Sequence, residues 1–284
     1  MLSYLHGYHA GNHADVIKHL VLLALLQQLR QKEKPFVVID THGGNGLYAL
    51  DSPQARKTRE AESGALPLWQ HYKKYSAFKS PLLNDYLALI TGFNPDASAA
   101  KPSIYPGSPA IAQSQLREHD RLTVMELHNS EVDQLRTNFH FDKRITIHHR
   151  DGFEGAVALS PPAPPMPRRG LVLIDPSYEI KTDYQRVAKT VKEIHRRWAT
   201  SMIAVWYPML GRTRDHSSSL IQTLKSLPDV RVMELVMGPQ TEEFGMHGSG
   251  MLLINTPWQF GKIIDPAMQE AATCMSASYR VTVK

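Results

Sequence analysis

The chain has 284 residues, 42% of them hydrophobic and 21% charged, ordinary values for a soluble globular protein with a substantial core in one large domain or two small ones. A single cysteine, Cys274, excludes an intrachain disulfide and suits a reducing compartment, while the longest apolar run, 20–26, falls far short of the about 20 residues that span a bilayer. The net charge of +5 permits a nucleic-acid partner without demanding one.

Residues 1–11 carry no basic stretch followed by an apolar one, so they do not read as a secretion signal; the expected location is the cytoplasm, with no membrane partner. Asn12 suits the N-cap of a helix running to about Gln31, with Ile17, Leu20, Val21, Ala24 and Leu25 at helical spacing. Pro35 then precedes a buried-strand run, Phe36-Val37-Val38-Ile39, ending in Asp40. The segment 51–105 contains Trp69, Tyr72, Tyr75, Phe78, Leu82, Tyr86 and Ile90, several of them at helical spacing. It reads as a helical subdomain inserted between the first and second strands, dividing the chain into 1–50, 51–105 and 106–284. Further strands are predicted at 122–127, 145–148, 171–174, 202–206, 230–236 and 251–254, with helices over 130–138 and 183–198. Apolar strands alternating with helices point to a mostly parallel α/β sheet covered on both faces. The last two strands are joined by 238–250, which has no helical pattern, and are expected to pair antiparallel at one end of the sheet.

Four acids stand at or just past predicted strand ends: Asp40, Glu126, Asp151 and Asp175. A strand end needs no carboxylate, whereas ligands of open α/β sheets bind outside the strands' carboxyl ends, so the set points to a ligand site. Asp40 opens Asp40-Thr41-His42-Gly43-Gly44-Asn45-Gly46, a strand followed by a Gly-rich turn. Its spacing differs from the Gly-x-Gly-x-x-Gly of dinucleotide sites and fits the looser turn of S-adenosylmethionine (SAM) sites, although a plain strand–helix turn looks the same. Glu126 is placed to accept from two ribose hydroxyls, and Asp151 with Gly152 to accept the donor's adenine amine.

Asp175-Pro176-Ser177-Tyr178 follows the apolar run 171–174 and nearly matches the Asp/Asn-Pro-Pro-aromatic signature of enzymes that methylate exocyclic amines. Such an amine is a poor nucleophile because its lone pair is delocalised into the ring. Asp175 and the Pro176 carbonyl can hold its two N–H groups, and Tyr178 can stack on the base. Asp-Pro-Ser is also an ordinary turn, and Ser177 replaces the usual second proline. The same chemistry serves adenine in RNA, adenine in DNA and glutamine in protein. A non-catalytic RNA-binding or metal-binding protein is the rival of another class.

His6, His9, His13 and His19 fall within the first 19 residues. Of the acids only Asp15 accompanies them and no zinc motif is matched, so no metal is expected. The segment reads instead as a wall of the site's mouth, with Tyr4 able to stack and Lys18 and His19 able to meet the donor's carboxylate. Basic clusters such as 56–59, 143–144, 168–169 and 192–197 are each solvated faces; together they fit a polyanionic substrate.

The run Leu2-Ser3-Tyr4-x-His6-x-x-His9-Ala10-Gly11-Asn12-His13-Ala14-Asp15-Val16-x-Lys18-His19 resembles the start of the bacterial 23S rRNA adenine-N6 methyltransferases of the RlmJ type. So do the Gly-rich turn, Tyr105-Pro106-Gly107-Ser108-Pro109, Glu126-Leu127-His128, Asp151-Gly152-Phe153, the stretch 168–184 around Asp175, Trp206-Tyr207-Pro208 and 248–251. The resemblance runs in order over nearly the whole chain. It implies a Rossmann-like class I SAM-dependent methyltransferase sheet of seven strands, one antiparallel, with an inserted helical subdomain. It implies donor contacts from His19, His42, Ser108, Glu126, Asp151, Gly152 and Asp175, and catalytic or substrate roles for Tyr4, His6, Lys18 and Asp175. The implied partner is 23S rRNA, free or partly assembled, acted on by a monomer with no obligate protein partner.

Overall fold

The computed structural model describes residues 4–96, 100–242 and 245–283; Leu2 and Ser3 of the N-terminal signature, 97–99 of the helical insertion and 243–244 of the late loop lie outside the described residues. The chain runs through α1 (His13–Arg30), β1 (Val37–Asp40), β2 (Leu47–Ala49), α2 (Pro53–Thr58), α3 (Ala65–Tyr75), α4 (Pro81–Gly92) and β3 (Ile104–Pro106). It continues through α5 (Ser108–Gln115), β4 (Arg121–Glu126), α6 (Asn129–Phe139), β5 (Ile145–His149), α7 (Gly152–Ala158), β6 (Gly170–Ile174) and α8 (Asp183–Arg197). Then follow β7 (Met202–Leu210), α9 (Ser217–Leu224), β8 (Arg231–Val236), β9 (Met246–Ile254), α10 (Phe260–Cys274) and β10 (Ser278–Val283).

Eight strands form the main sheet in the order β10-β8-β9-β7-β6-β1-β4-β5. β1 is parallel to β4 and β6, β5 to β4 and β7 to β6, whereas β9 is antiparallel to both β7 and β8. The eighth strand, β10, adds antiparallel to β8, so the sheet has one strand more than the expected seven and a second reversed strand. The β8–β9 pair therefore sits one strand in from the edge. Apart from one half-buried residue β10 is exposed, so it carries no buried-strand pattern.

Alternation along the strands decides the layers. Val38, Leu171, Leu173 and Ala204 point to one face, where they pack with α1, α5 and α10. Val37, Ile39, Val172, Ile174 and Val205 point to the other, against α7, α8 and α9. Among the residues of α1, every one from His13 to Leu26 is buried, so this helix is apolar nearly all round, and its few charged groups must find partners inside.

The stretch between β1 and β4 positions the site. β2 and β3 pair antiparallel, Leu47 opposite Pro106 and Ala49 opposite Ile104, closing off α2, α3 and α4 at their base. Trp69, Leu83, Tyr86 and Ile90 of these helices are buried in the same core as α1. Because Gly107 N donates to Gly46 O at 2.9 Å, the start of α5 is held against the Gly-rich turn. The reversal of strand order around β1, with β6 on one side and β4 on the other, opens a crevice at the carboxyl ends.

Candidate active site

That crevice is a cleft of about 1050 Å³, its open mouth included, walled by the turns after β1, β4, β5 and β6, by the start of α1 and by the N-terminal residues. Of the residues singled out in the sequence, Tyr4, His6, Lys18, His19, His42, Gly44, Ser108, Glu126, Asp151, Gly152, Asp175 and Pro176 line it. Asp40, Gly46 and Tyr178 are not among the lining residues.

On the β1–β4 side the turn wraps a carboxylate. Gly44 N donates to Glu126 Oε2 at 2.8 Å, and His128 N donates to Glu126 Oε1 at 2.7 Å. Gly44 has φ +56°, and a Cβ there would lie 2.1 Å from the Tyr48 hydroxyl, so only glycine fits this turn. Asp40 is buried beneath the turn: its Oδ1 accepts from His42 N at 3.3 Å, its Oδ2 has no partner, and burial pushes its carboxyl up to about 6.

On the β5 side Asp151 caps α7, its Oδ1 accepting from Glu154 N at 3.0 Å. Its other oxygen accepts from Arg186 of α8 at 2.7 Å, and the Arg186 guanidinium lies over the Phe153 ring, 4.3 Å from its centroid. A Cβ on Gly152 would lie 2.0 Å from Thr41 O, so the glycine lets α7 start directly against the end of β1. The His42 ring stands edge-on to Phe153 at 5.1 Å, and burial holds its pKa down to about 4. Arg186 escaped the sequence reading because an arginine on an amphipathic helix has the look of a solvated side chain; nothing local marks that it reaches back to Asp151.

The β6 end carries a chain of polar contacts. Lys18 Nζ lies 2.5 Å from Asp175 Oδ2 and 2.9 Å from Asp15 Oδ1. Asp15 Oδ2 meets His6 Nε2 at 2.9 Å and accepts from Gly11 N at 2.8 Å, and His6 Nδ1 meets the Tyr4 hydroxyl at 2.8 Å. Two carboxylates hold the Lys18 amine charged, well above its ordinary range, against the cost of burial. Burial pushes the Asp175 carboxyl up, with the Lys18 ammonium pulling against it. His19 bonds the Tyr105 hydroxyl through Nδ1 at 2.8 Å, leaves Nε2 without a hydrogen-bond partner, and is held down to about 3 by burial.

Tyr178 is where the structure departs furthest from expectation. Its backbone takes a left-handed φ of 52°, which swings the ring away from the cleft and into the core beneath β7. There its hydroxyl donates to Trp206 O at 2.7 Å, and its ring packs against Tyr184 at 4.5 Å. The tyrosines that share the cleft wall with Asp175 are Tyr4 and Tyr48, and Tyr4 stacks against His9 at 5.3 Å. His9 also bonds Glu60 at 2.8 Å, and His13 is buried and held down to about 4.

A mostly parallel sheet with acids at four carboxyl ends, a Gly-rich turn over one and an Asp-Pro-Ser turn at another, defines a Rossmann-like class I methyltransferase. The chain belongs to the family described as RsmJ: Ribosomal RNA large subunit methyltransferase D, RlmJ, whose model matches residues 33–279. It is 40% identical over 261 residues to Ribosomal RNA large subunit methyltransferase J of Escherichia coli K12, covering 91% of this chain and 89% of that one. The enzyme of the same name from Haemophilus influenzae is also 40% identical, over 263 residues, with 91% and 88% covered. A crystal structure of a Legionella pneumophila protein superposes with a TM-score of 0.85 at 33% identity, covering 97% of this chain and 98% of that one.

Proposed function

We propose that this enzyme transfers a methyl group from SAM to the exocyclic N6 of an adenine in 23S rRNA, as a monomer in the cytoplasm, on free or partly assembled RNA. The observation that carries the reading is Asp175, a carboxylate on the Asp-Pro-Ser turn held by Lys18 in the same cleft as Glu126 and Asp151. The family's activity, methylation of large-subunit rRNA, supports it.

The residues present fit the donor. His19 Nε2, without a hydrogen-bond partner on the cleft wall, and the carboxylates of Glu126 and Asp151 at neighbouring strand ends match a ligand with a charged amino-acid end and a nucleoside end. Glu126 would hold the ribose, Asp151 with Gly152 the adenine edge, and His19 with Ser108 the amino-acid end, with His42 flanking the base. Six carboxylates line the cleft against two cations, a balance suited to a sulfonium. When bound, SAM supplies an electrophilic methyl group on that sulfonium.

The remaining work falls to the chain. The target adenine must leave its stack to enter so narrow a site, and Tyr4 offers the face on which it can lie. Asp175 and the Pro176 carbonyl accept the two N6 hydrogens, concentrating the lone pair on nitrogen. Lys18 can stay on Asp15 while Asp175 takes up the amine, because the ammonium already bridges both. Asp175, already hydrogen-bonded to N6, would take the extra proton that the nitrogen sheds once it carries the methyl group. Holding amine and methyl in line can contribute about 7–11 kcal/mol.

The test is methyl transfer from labelled SAM to protein-free 23S rRNA lacking its native modifications, with DNA as control and nuclease digestion of the product. N6-methyladenosine in RNA alone is the expected result. Label in DNA or protein, or none in RNA despite SAM binding, would overturn the substrate.

A further inference from the structure

The cleft sets an electrostatic problem for an RNA substrate. Its wall carries Glu126, Glu131, Asp151, Asp175, Glu179 and Asp183, and both lining cations are already engaged, Lys18 by Asp15 and Asp175, Arg186 by Asp151. Such a wall suits a sulfonium and repels a phosphodiester backbone. The attraction that brings RNA to the site has to come from a neighbouring surface.

A groove of about 900 Å³ between α8 and α9 has the opposite character. Lys181, Lys189 and Lys192 line it together with Gln185, Tyr184 and His216, and no carboxylate does. All three lysines are exposed. Among the described residues none of them pairs with an acid, whereas the arginines of the same helix all do: Arg186 with Asp151, and Arg196 and Arg197 with Glu193. An ordinary solvated helix face mixes its charges; this one separates them, pairing the arginines and leaving the lysines free along one concave stripe. Gln185, Lys189 and Lys192 stand at i, i+4 and i+7, so they share one side of α8 over about 10 Å.

Groove and cleft share a wall. In the first turns of α8, Asp183 and Arg186 line the cleft while Tyr184 and Gln185 line the groove, and Lys181 directly follows the cleft residue Ile180. The Tyr184 ring, on the groove's floor, packs against His216 at 5.6 Å and against Tyr178 of the Asp-Pro-Ser turn at 4.5 Å. A strand lying in the groove is thus seated on the turn that carries Asp175.

We infer that the α8–α9 groove is the track for the RNA backbone, with phosphates flanking the target adenine lying along Lys181, Lys189 and Lys192. This rests on the reading of RNA as substrate. It divides the labour: the acidic cleft holds the donor and the extruded base, and the basic groove holds the strand.

The test is the double substitution K189E/K192E, with K262E, an exposed lysine of α10, as control. The expected result is a KM for RNA raised at least tenfold, with SAM affinity and kcat at saturating RNA near wild type. The slope of log KM against log salt should also fall by about 1–2, from about 0.7–0.9 per lost phosphate contact. An unchanged KM and slope, or an equal change in K262E, would overturn the groove. If wild-type enzyme methylates no RNA, the functional reading fails on its own. Anisotropy of a labelled RNA oligonucleotide then still decides the groove, since equal binding by wild type and K189E/K192E would sink it.

Discussion

Lys18 is one cation shared by a fully buried carboxylate, Asp15, and a half-buried one, Asp175, and this asymmetry separates what each residue contributes. Removing Asp175 leaves Lys18 with Asp15 and takes away a carboxyl whose burial opposes its charge. Asp175→Ala should therefore keep the fold and its urea midpoint while losing at least about 10²-fold in kcat, the scale of a lost hydrogen-bonding group at a reacting centre. Retained turnover would refute the role assigned to the carboxylate. Lys18→Met does the reverse, leaving Asp175 without its cation and Asp15 with only its hydrogen bonds to His6 and Gly11 N, and should cost about 3–5 kcal/mol of stability. Urea unfolding near neutral pH checks it; a loss below about 1 kcal/mol would mean that water, and not Lys18, compensates these acids.

At the scale of elements, α1 shows how a buried helix can deliver polar groups. Its N-cap, Asn12, accepts from Asp15 N at 2.9 Å and donates through Nδ2 to Glu60 at 2.9 Å, fixing the first turn against the inserted segment. That turn sets the height of Asp15, Lys18 and His19 relative to β6. Asn12→Ala should cost about 1 kcal/mol, the usual value of a lost cap. Because the cap also aims Lys18, kcat should fall more than the stability loss alone explains. An unchanged kcat in the folded variant would show that the rest of α1 positions the lysine unaided.

For the whole molecule, the internal histidines set an acid limit. Burial holds His19 down to about 3 and His13 and His42 to about 4, against 6.5 when exposed. The unfolded chain therefore takes up these protons first, so their contribution is complete above pH 6.5 and is lost as pH falls from 6.5 toward 4. Asp40 acts in the opposite sense: its carboxyl, raised to about 6, costs stability at neutral pH, and that cost fades as pH drops from 6 to 3.8. The lowered histidines, His148 among them, titrate from 6.5 downward, whereas the raised carboxyls of Asp40, Glu131, Asp175 and Asp183 titrate upward from 3.8–4.5. The histidines therefore prevail in the upper part of the window, by about 1.4 kcal/mol per pH unit for each uncompensated proton. Urea midpoints should fall as pH drops from 6.5 to about 5.5, and a flat or rising midpoint there would contradict the sign.

What the chain determines by itself is whatever rests on periodicity and on order along the backbone. The apolar runs 36–39 and 171–174 mark central strands because both faces of a parallel sheet are buried, and acids past such runs mark a ligand edge whatever the packing. For the same reason Glu126, Asp151 and Asp175 were legible as wall residues. Tertiary structure alone decided three things. β10 forms because β8 offers it an open edge, not because Ser278–Val283 has a buried pattern of its own. Arg186 joins the site because α8 packs against α7, whose N-cap is Asp151, bringing together residues 35 apart in sequence. Tyr178 leaves the cleft because a left-handed turn and the Trp206 carbonyl draw its ring under β7. A motif specifies which atoms are available; the direction in which a side chain points depends on a backbone dihedral and on neighbours that lie far away along the chain.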